Sequence, residues 1–189
     1  CYIFFKKVDM EDKEVINLIY ACDSVYLPYF YVSAFSAIKH KGERELQFHL
    51  FFDGDEKCKE LQRCMESFPG ELNVYYPDRA LLSGAKTDAN IPLSAYYRLL
   101  IPQYLNHVDR ALYVDCDTVI CGSLDELYEI NLEGSAFAAV PEKDIFSSVK
   151  EKLQCEEYFN SGVLLIDLKM LDEKSSECFE FMKRHDLIT

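Results

Sequence analysis

The segment Arg110-Ala-Leu-Tyr-Val-Asp-Cys-Asp-Thr-Val-Ile120 sets an apolar run, Ala111 to Val114, directly against two carboxylates one residue apart. A short apolar run bounded by charge reads as a strand buried on both faces, and such strands belong to parallel sheets covered by helices. On extended backbone, residues i and i+2 share a face. Asp115 and Asp117 are therefore expected to face one spot, with Cys116 turned away. Unpaired charge at the end of such a run would be costly to bury. Two convergent hard oxygens relieve that cost by holding Mg²⁺ or Mn²⁺. They would do so at the carboxyl edge of the sheet, where open α/β sheets bind ligands. A cation held by only two side chains keeps positions open for a ligand with oxygens of its own, such as a diphosphate. The competing reading is plainer: acidic pairs also cap helices and sit in turns.

The rest of the chain supplies partners for that strand. Val15 to Cys22 is a nearly continuous apolar run, the mark of a buried parallel strand. Pro28 can open a helix that runs to Lys41 and stops at Gly42. Glu45 to Phe52 reads as a second strand. Asp55 to Phe68 reads as an amphipathic helix with Cys58, Leu61, Met65 and Phe68 on one side. Leu72 to Tyr76 is a third, short strand, and a polar loop covers Pro77 to Pro92. A helix is expected over Ser94 to Leu105, carrying Tyr96, Tyr97 and Arg98. Ser123-Leu-Asp-Glu126 has the capping-box pattern for a short helix to Ile130. A strand over Ser135 to Val140, a helix over Asp144 to Leu153, an extended stretch from Tyr158 to Leu168 and a final helix from Lys169 to His185 complete the chain. The alternation predicts an α/β sandwich with a mainly parallel sheet.

Composition narrows the function classes. The 189 residues are 49% hydrophobic and 14% aromatic, enough for one substantial core, so residues 1–189 are expected to form one domain. A formal net charge of −13 excludes nucleic acid as a partner, because the phosphate-neutralising surface is missing. Eight cysteines contain no C-x-x-C pair, which argues against a zinc knuckle. Several lie in apolar runs, where a free thiol acts as a small hydrophobe. The opening Tyr2-Ile-Phe-Phe-Lys-Lys is too short and too soon charged for a leader. Reduced thiols and a cytoplasmic location are expected. No apolar stretch approaches the ~20 residues of a membrane span. The chain starts at Cys1 and stops at Thr189, just past a helical pattern, so truncation at the C-terminal end is expected.

There is no G-x-G-x-x-G and no G-x-x-x-x-G-K-[ST], so a glycine-rich phosphate cradle is absent. A divalent cation on Asp115 and Asp117 is the other way to hold phosphates. Arg98 reads either as a fork onto a phosphate or carboxylate or as a helix-surface salt bridge. Asp23 follows the first strand at the same sheet edge as Asp115. It can accept from a base or ribose, or serve as a turn residue. Asn160 interrupts an apolar segment, where a buried amide needs partners: a polyhydroxyl ligand, or loop backbone. Gly162 marks a close backbone approach. Of the four histidines, His49 reads as a satisfied core residue, and none has metal spacing to Asp115.

Four blocks, taken in order, resemble glycosyltransferase family 8. They are Ile19-Tyr-Ala-Cys-Asp23; Ser94-Ala-Tyr-Tyr-Arg-Leu99; Ala111-Leu-Tyr-Val-Asp-Cys-Asp117 with Gly122-Ser-Leu-Asp-Glu-Leu127; and Tyr158-Phe-Asn-Ser-Gly-Val-Leu-Leu-Ile166. This is the family of bacterial lipopolysaccharide galactosyl- and glucosyltransferases, with glycogenin and galactinol synthase as eukaryotic relatives. The resemblance implies a GT-A fold, a UDP-glucose or UDP-galactose donor, Mn²⁺ (or Mg²⁺) and retention of anomeric configuration. It implies a glycan or lipid-linked acceptor of lipopolysaccharide type and peripheral contact with the inner face of a membrane through segments outside this chain. By the same resemblance Asp115 and Asp117 are the metal-binding Asp-x-Asp, with Cys116 between them against the donor. Ala21, Asp23 and Tyr26 line the uridine pocket. Arg98 lies near the diphosphate and donor sugar as a catalytic residue, and Asn160 and Ser161 touch the sugar, Asn160 also in a catalytic role. Val25 stands where several bacterial members carry Asn. The family's Asp-Gln-Asp segment and its late His-x-x-Gly-x-x-Lys-Pro-Trp motif have no counterpart in the sequence. A third metal ligand, a phosphate-binding lysine and a donor-side catalytic residue are expected beyond Thr189. Retention would run by double displacement through a nucleophile, or by same-face attack with the leaving phosphate as base.

Two rivals share parts of the pattern. Val114-Asp-Cys-Asp-Thr-Val119 also suits a haloacid-dehalogenase-type phosphatase with Asp115 as nucleophile, but three strands precede it where that motif normally opens a chain. A non-catalytic nucleotide-sugar-binding domain predicts UDP binding without turnover.

Overall fold

The computed structural model describes residues 15–83, 85, 87, 92–142 and 158–184. A six-stranded sheet runs in the order β3-β2-β1-β4-β6-β5. Its strands are β1 (Ile16–Asp23), β2 (Leu46–Asp53), β3 (Leu72–Tyr75), β4 (Arg110–Val114), β5 (Phe137–Pro141) and β6 (Phe159–Asp167). The helices are α1 (Leu27–Lys39), α2 (Lys59–Ser67), α3 (Ile101–Tyr104), α4 (Asp125–Tyr128) and α5 (Leu168–Arg184), with 3-10 turns over Arg79–Leu82 and Leu93–Leu99.

The sheet is mostly parallel, as expected, with one part that the sequence pattern did not show. β1 pairs in parallel with both β2 and β4, and β2 with β3. β6 runs antiparallel to both β4 and β5. Apolar runs on β4 and β6 report burial on two faces, and burial carries no strand direction. The chain goes outward from β1 to β2 and β3, then returns to place β4 on the other side of β1. The carboxyl ends of β1 and β4 therefore flank a point where the strand order reverses, which is where open α/β sheets form a ligand crevice.

Strand alternation builds two cores. Ile16, Leu18, Tyr20 and Cys22 of β1 face α1 and α2 with Phe30, Phe48 and Leu61. Ile19 faces the opposite layer with Phe51, Tyr97, Leu105, Tyr113 and Ile166. Each fully buried side chain of this size contributes roughly 1.5–3 kcal/mol of transfer free energy. α1 begins with Pro28 in its first turn, where a missing N–H costs nothing. The Asp23 carboxylate accepts the N–H groups of Val25 and Tyr26 at 2.9 and 3.1 Å, turning the chain from β1 into that helix.

Several local expectations shift. The helix foreseen over Ser94–Leu105 is a 3-10 turn followed by a single α-turn; Pro102 removes one backbone donor from that stretch. The helix foreseen from Asp55 begins at Lys59. The Ser123 hydroxyl accepts the Asp125 N–H at 3.1 Å, but α4 is a single turn ending at Tyr128, short of Ile130. The helix read over residues 144–153, the end of the last helix at residue 185 and residues 84, 86 and 88–91 of the loop over 77–92 lie outside the described residues.

Candidate active site

β4 ends at Val114, and Asp115 to Asp117 form a turn closed by the Thr118 N–H and hydroxyl, which donate to the Asp115 carbonyl at 3.3 and 2.9 Å. This corrects the sequence reading: the two carboxylates are not brought together by strand alternation, because the backbone is no longer extended. The turn still delivers both to one cleft of about 720 Å³ at the carboxyl ends of β1 and β4. Cys116 is 5% exposed. Its thiol donates to the Ala21 carbonyl at 3.5 Å, which fastens the acidic turn to the end of β1.

Asp115 is the more constrained carboxylate. Its N–H donates to the Gly162 carbonyl at 2.7 Å. Tyr113, two residues back on β4, donates its phenol to Asp115 Oδ1 at 2.8 Å. Burial pushes the Tyr113 phenol well above its usual pKa, so it stays a proton donor. On the other side, a Cβ added to Gly162 would lie 2.8 Å from Asp115 Oδ2 and 3.1 Å from Asn160 Oδ1. A side chain at 162 would crowd these two side-chain oxygens; the close approach read from sequence is thus to side chains and not to backbone.

Arg98 joins three pieces of chain. Its Nε donates to the Ala95 carbonyl at 2.7 Å and its Nη1 to the Ser161 carbonyl at 2.7 Å. Its Nη2 reaches the Tyr113 hydroxyl at 3.3 Å and Asp115 Oδ1 at 3.5 Å. The guanidinium carbon lies 4.6 Å from the Tyr113 ring centre, a cation–π stack. The guanidinium thus reaches a carboxylate of the acidic pair, one of the two partners read for it in sequence, and is not a helix-surface ion pair. The arginine is a strut between the 3-10 turn, the acidic turn and β6, with part of its donor set turned to the cleft.

Most of the residues singled out in sequence meet here. Ala21, Tyr26, Arg98, Asp115, Cys116 and Asp117 line the cleft, as does Ser161. Asp23 is not among the lining residues: its Oδ1 accepts both N–H groups of the turn into α1. Asn160 is exposed rather than buried, and its Oδ1 accepts the Gly162 N–H at 2.8 Å. That contact braces the backbone at the start of β6, beside the Gly162 carbonyl that holds the acidic turn. Tyr113 was missed because it reads as one more apolar strand residue; its i, i+2 spacing to Asp115 was the available signal. Phe137, Phe159, Leu164 and Ile166 give the cleft an apolar wall on its antiparallel side.

The donor set suits a hard cation: two carboxylates on one turn, of which Asp117 is exposed and carries no side-chain hydrogen bond among the described residues. No group of three or more His, Cys, Asp or Glu side chains suited to a metal occurs among the described residues. Two protein ligands are thus what this segment offers. Cys22, Cys58, Cys64, Cys116 and Cys121 are free thiols. Among the described residues, no helix is long and apolar enough to cross a membrane.

A sequence profile of glycosyl transferase family 8 matches residues 17–186. The chain belongs to that family. A putative glycosyltransferase of Haemophilus influenzae is 29% identical over 171 residues, covering 86% of this chain and 51% of the relative. A lipopolysaccharide 1,2-glucosyltransferase of Escherichia coli is 28% identical over 183 residues, covering 92% of this chain and 54% of the relative. Among solved structures, the galactosyltransferase LgtC in complex with donor and acceptor sugar analogues superposes with a TM-score of 0.77 at 25% identity, over 92% of this chain and 66% of that one. The expected GT-A fold is borne out by this likeness. The chain spans about half the length of the curated relatives it matches. The family match leaves the haloacid-dehalogenase-type phosphatase reading without support.

Proposed function

We propose that this chain is the donor-binding part of a retaining, metal-dependent hexosyltransferase. It moves glucose or galactose from a UDP-sugar to a glycan or lipopolysaccharide-type acceptor. The observation that carries this reading is the acidic turn, Asp115 and Asp117, opening into a cleft at the strand-order reversal beside Ala21 and Tyr26. Family membership and the names of the relatives support the reaction class. The protein would work at the cytoplasmic face, in peripheral contact with the membrane that carries a lipid-linked acceptor.

Asp115 and Asp117 would hold Mn²⁺ or Mg²⁺, whose charge supports the diphosphate as it leaves. Everything else falls to the chain itself. Ala21 and Tyr26, both in the cleft lining, would border the base. Arg98 fixes the spacing between the acidic turn and the Ser161 carbonyl, and its remaining donors face the diphosphate. Ser161, and Asn160 beside it, contact the donor hexose. Phe137 and Phe159 would give the donor sugar an apolar wall to lie against.

Calorimetric titration of UDP into the full-length protein tests this, first with Mn²⁺ and then with EDTA. Binding that needs Mn²⁺, together with turnover of a UDP-hexose, is the expected result. Mn²⁺-dependent binding with no turnover on any acceptor would favour a nucleotide-sugar-binding module. No UDP binding with Mn²⁺ present would overturn the reading.

A further inference from the structure

The Tyr113 hydroxyl has no part in the family reading above, yet it makes the shortest side-chain contact to the acidic turn. Tyr113 is 1% exposed, and its ring is held by the second core layer with Tyr97, Leu100 and Ile166. Its single hydroxyl is used at both ends. It accepts from Arg98 Nη2 at 3.3 Å and donates to Asp115 Oδ1 at 2.8 Å. A phenol on a rigid strand that donates to a carboxylate fixes that carboxylate's rotation. Together with Arg98 Nη2, which reaches the same Oδ1 at 3.5 Å, it takes up one of the two oxygens, and its contact is the shorter of the two. The other oxygen, Oδ2, lies over Gly162, where the missing side chain leaves it room.

We propose that Tyr113 is the positioning residue of the cation site. By holding Asp115 Oδ1, it presents Oδ2 alone as the ligand oxygen, over the gap that Gly162 keeps open. This role for Tyr113 rests on the proposed metal-dependent reading of the same cleft. Chemically, the phenol does for a carboxylate ligand what an outer-shell carboxylate does for a histidine ligand: it selects the orientation before the cation arrives, so less order is lost on binding.

The test is Mn²⁺ affinity, measured on full-length protein from loss of the free Mn²⁺ paramagnetic resonance signal, without any turnover assay. Tyr113→Phe keeps the ring and its packing and removes only the hydroxyl. The expected result is Mn²⁺ binding weaker by about 10–100-fold, the loss typical of an outer-shell partner. Placed on Asp115→Asn, the same substitution is expected to add no further loss, because the effect passes through Asp115. A general structural role would add its loss in both backgrounds and would overturn the proposal, as would a Tyr113→Phe protein that binds Mn²⁺ like the wild type. If Tyr113→Phe does not fold, Gly162→Ala crowds the same Oδ2 from the other side. A Gly162→Ala protein with undiminished Mn²⁺ affinity overturns the proposal equally. A wild-type protein that takes up no Mn²⁺ refutes the metal-dependent reading itself. Wild-type binding matched by Tyr113→Phe refutes only the role of Tyr113.

Discussion

The hydroxyl of Ser36 accepts the Ile120 N–H at 2.8 Å, across 84 residues of sequence. The same hydroxyl donates to the Ser33 carbonyl at 2.6 Å. One turn back on α1, Ser33 Oγ pairs with Thr118 Oγ1 at 3.0 Å and with the Tyr20 hydroxyl at 3.1 Å. The first helix thus grips the segment that leaves the acidic turn, while Cys116 and Gly162 grip the turn itself. Two small serines in an otherwise apolar helix face are therefore structural parts of the site.

Ser36→Ala is expected to lower global stability by about 1–3 kcal/mol, the cost of a buried N–H left without its acceptor. Ser36 is 8% exposed, so water offers little relief. Urea unfolding of the full-length protein reads the loss directly. An unchanged midpoint would mean that the Ile120 N–H finds another acceptor.

Asp117→Asn separates ligation from architecture. Asp117 is exposed and makes no side-chain hydrogen bond among the described residues, so the substitution should leave the unfolding transition where it is. Its Mn²⁺-supported affinity for UDP should fall by at least about tenfold, since losing a direct ligand should cost no less than losing an outer-shell partner. The calorimetric titration with Mn²⁺ and with EDTA gives both numbers. Equal affinity for wild type and variant would remove Asp117 from the site.

The parallel half of the sheet and the cleft edge were legible because burial and charge write themselves into sequence. The runs ending in Cys22, Phe52 and Val114 mark strands, and a carboxylate directly after such a run marks their carboxyl end. The direction of β6 was not legible, since Val163 to Ile166 look alike whichever way they run. Asp115 and Asp117 were found for a reason that did not hold, because the turn at Cys116 replaces the strand on which the argument relied. Asn160 looked buried among apolar neighbours, but Tyr158 and Phe159 beside it are themselves exposed. Tyr113 was hidden because a tyrosine in a strand serves packing and hydrogen bonding equally well, and only the fold says which.

Arg98→Lys tests whether the arginine acts as a strut. A lysine ammonium cannot reach the Ala95 carbonyl, the Ser161 carbonyl and the Tyr113 hydroxyl at once, nor stack flat on the Tyr113 ring. Charge is conserved, so any loss reports geometry. Hexosyl transfer by the full-length protein is expected to fall on the order of 10²-fold in kcat, the scale of a misplacement of about 1 Å, with a smaller change in KM for the donor. A loss confined to KM would place Arg98 in donor binding alone.

His49 gives the fold a pH dependence that can be measured apart from the site. It is 1% exposed on β2, with Nε2 at 3.1 Å from Asn17 Oδ1 and Nδ1 at 3.1 Å from the Tyr75 hydroxyl. The Asn17 oxygen can only accept, so Nε2 carries the hydrogen and Nδ1 takes the one from Tyr75. Burial, followed by the nearby His107, lowers the His49 pKa from 6.5 to about 4. Between those two values the unfolded chain binds a proton at this site and the folded chain does not, so stability rises with pH across that window. The contribution is fully present above about pH 6.5 and is lost as pH falls toward 4, at about 1.4 kcal/mol per pH unit and roughly 3 kcal/mol in all. Carboxylates titrate over part of the same range, so the measurement is a difference. Urea unfolding at a series of pH values should show a shallower slope between pH 6.5 and 4.5 for His49→Gln, which can accept and donate in the same places without titrating. Coincident slopes would mean that His49 is charged in the folded protein, and that the bond to Tyr75 is made with the roles of donor and acceptor reversed.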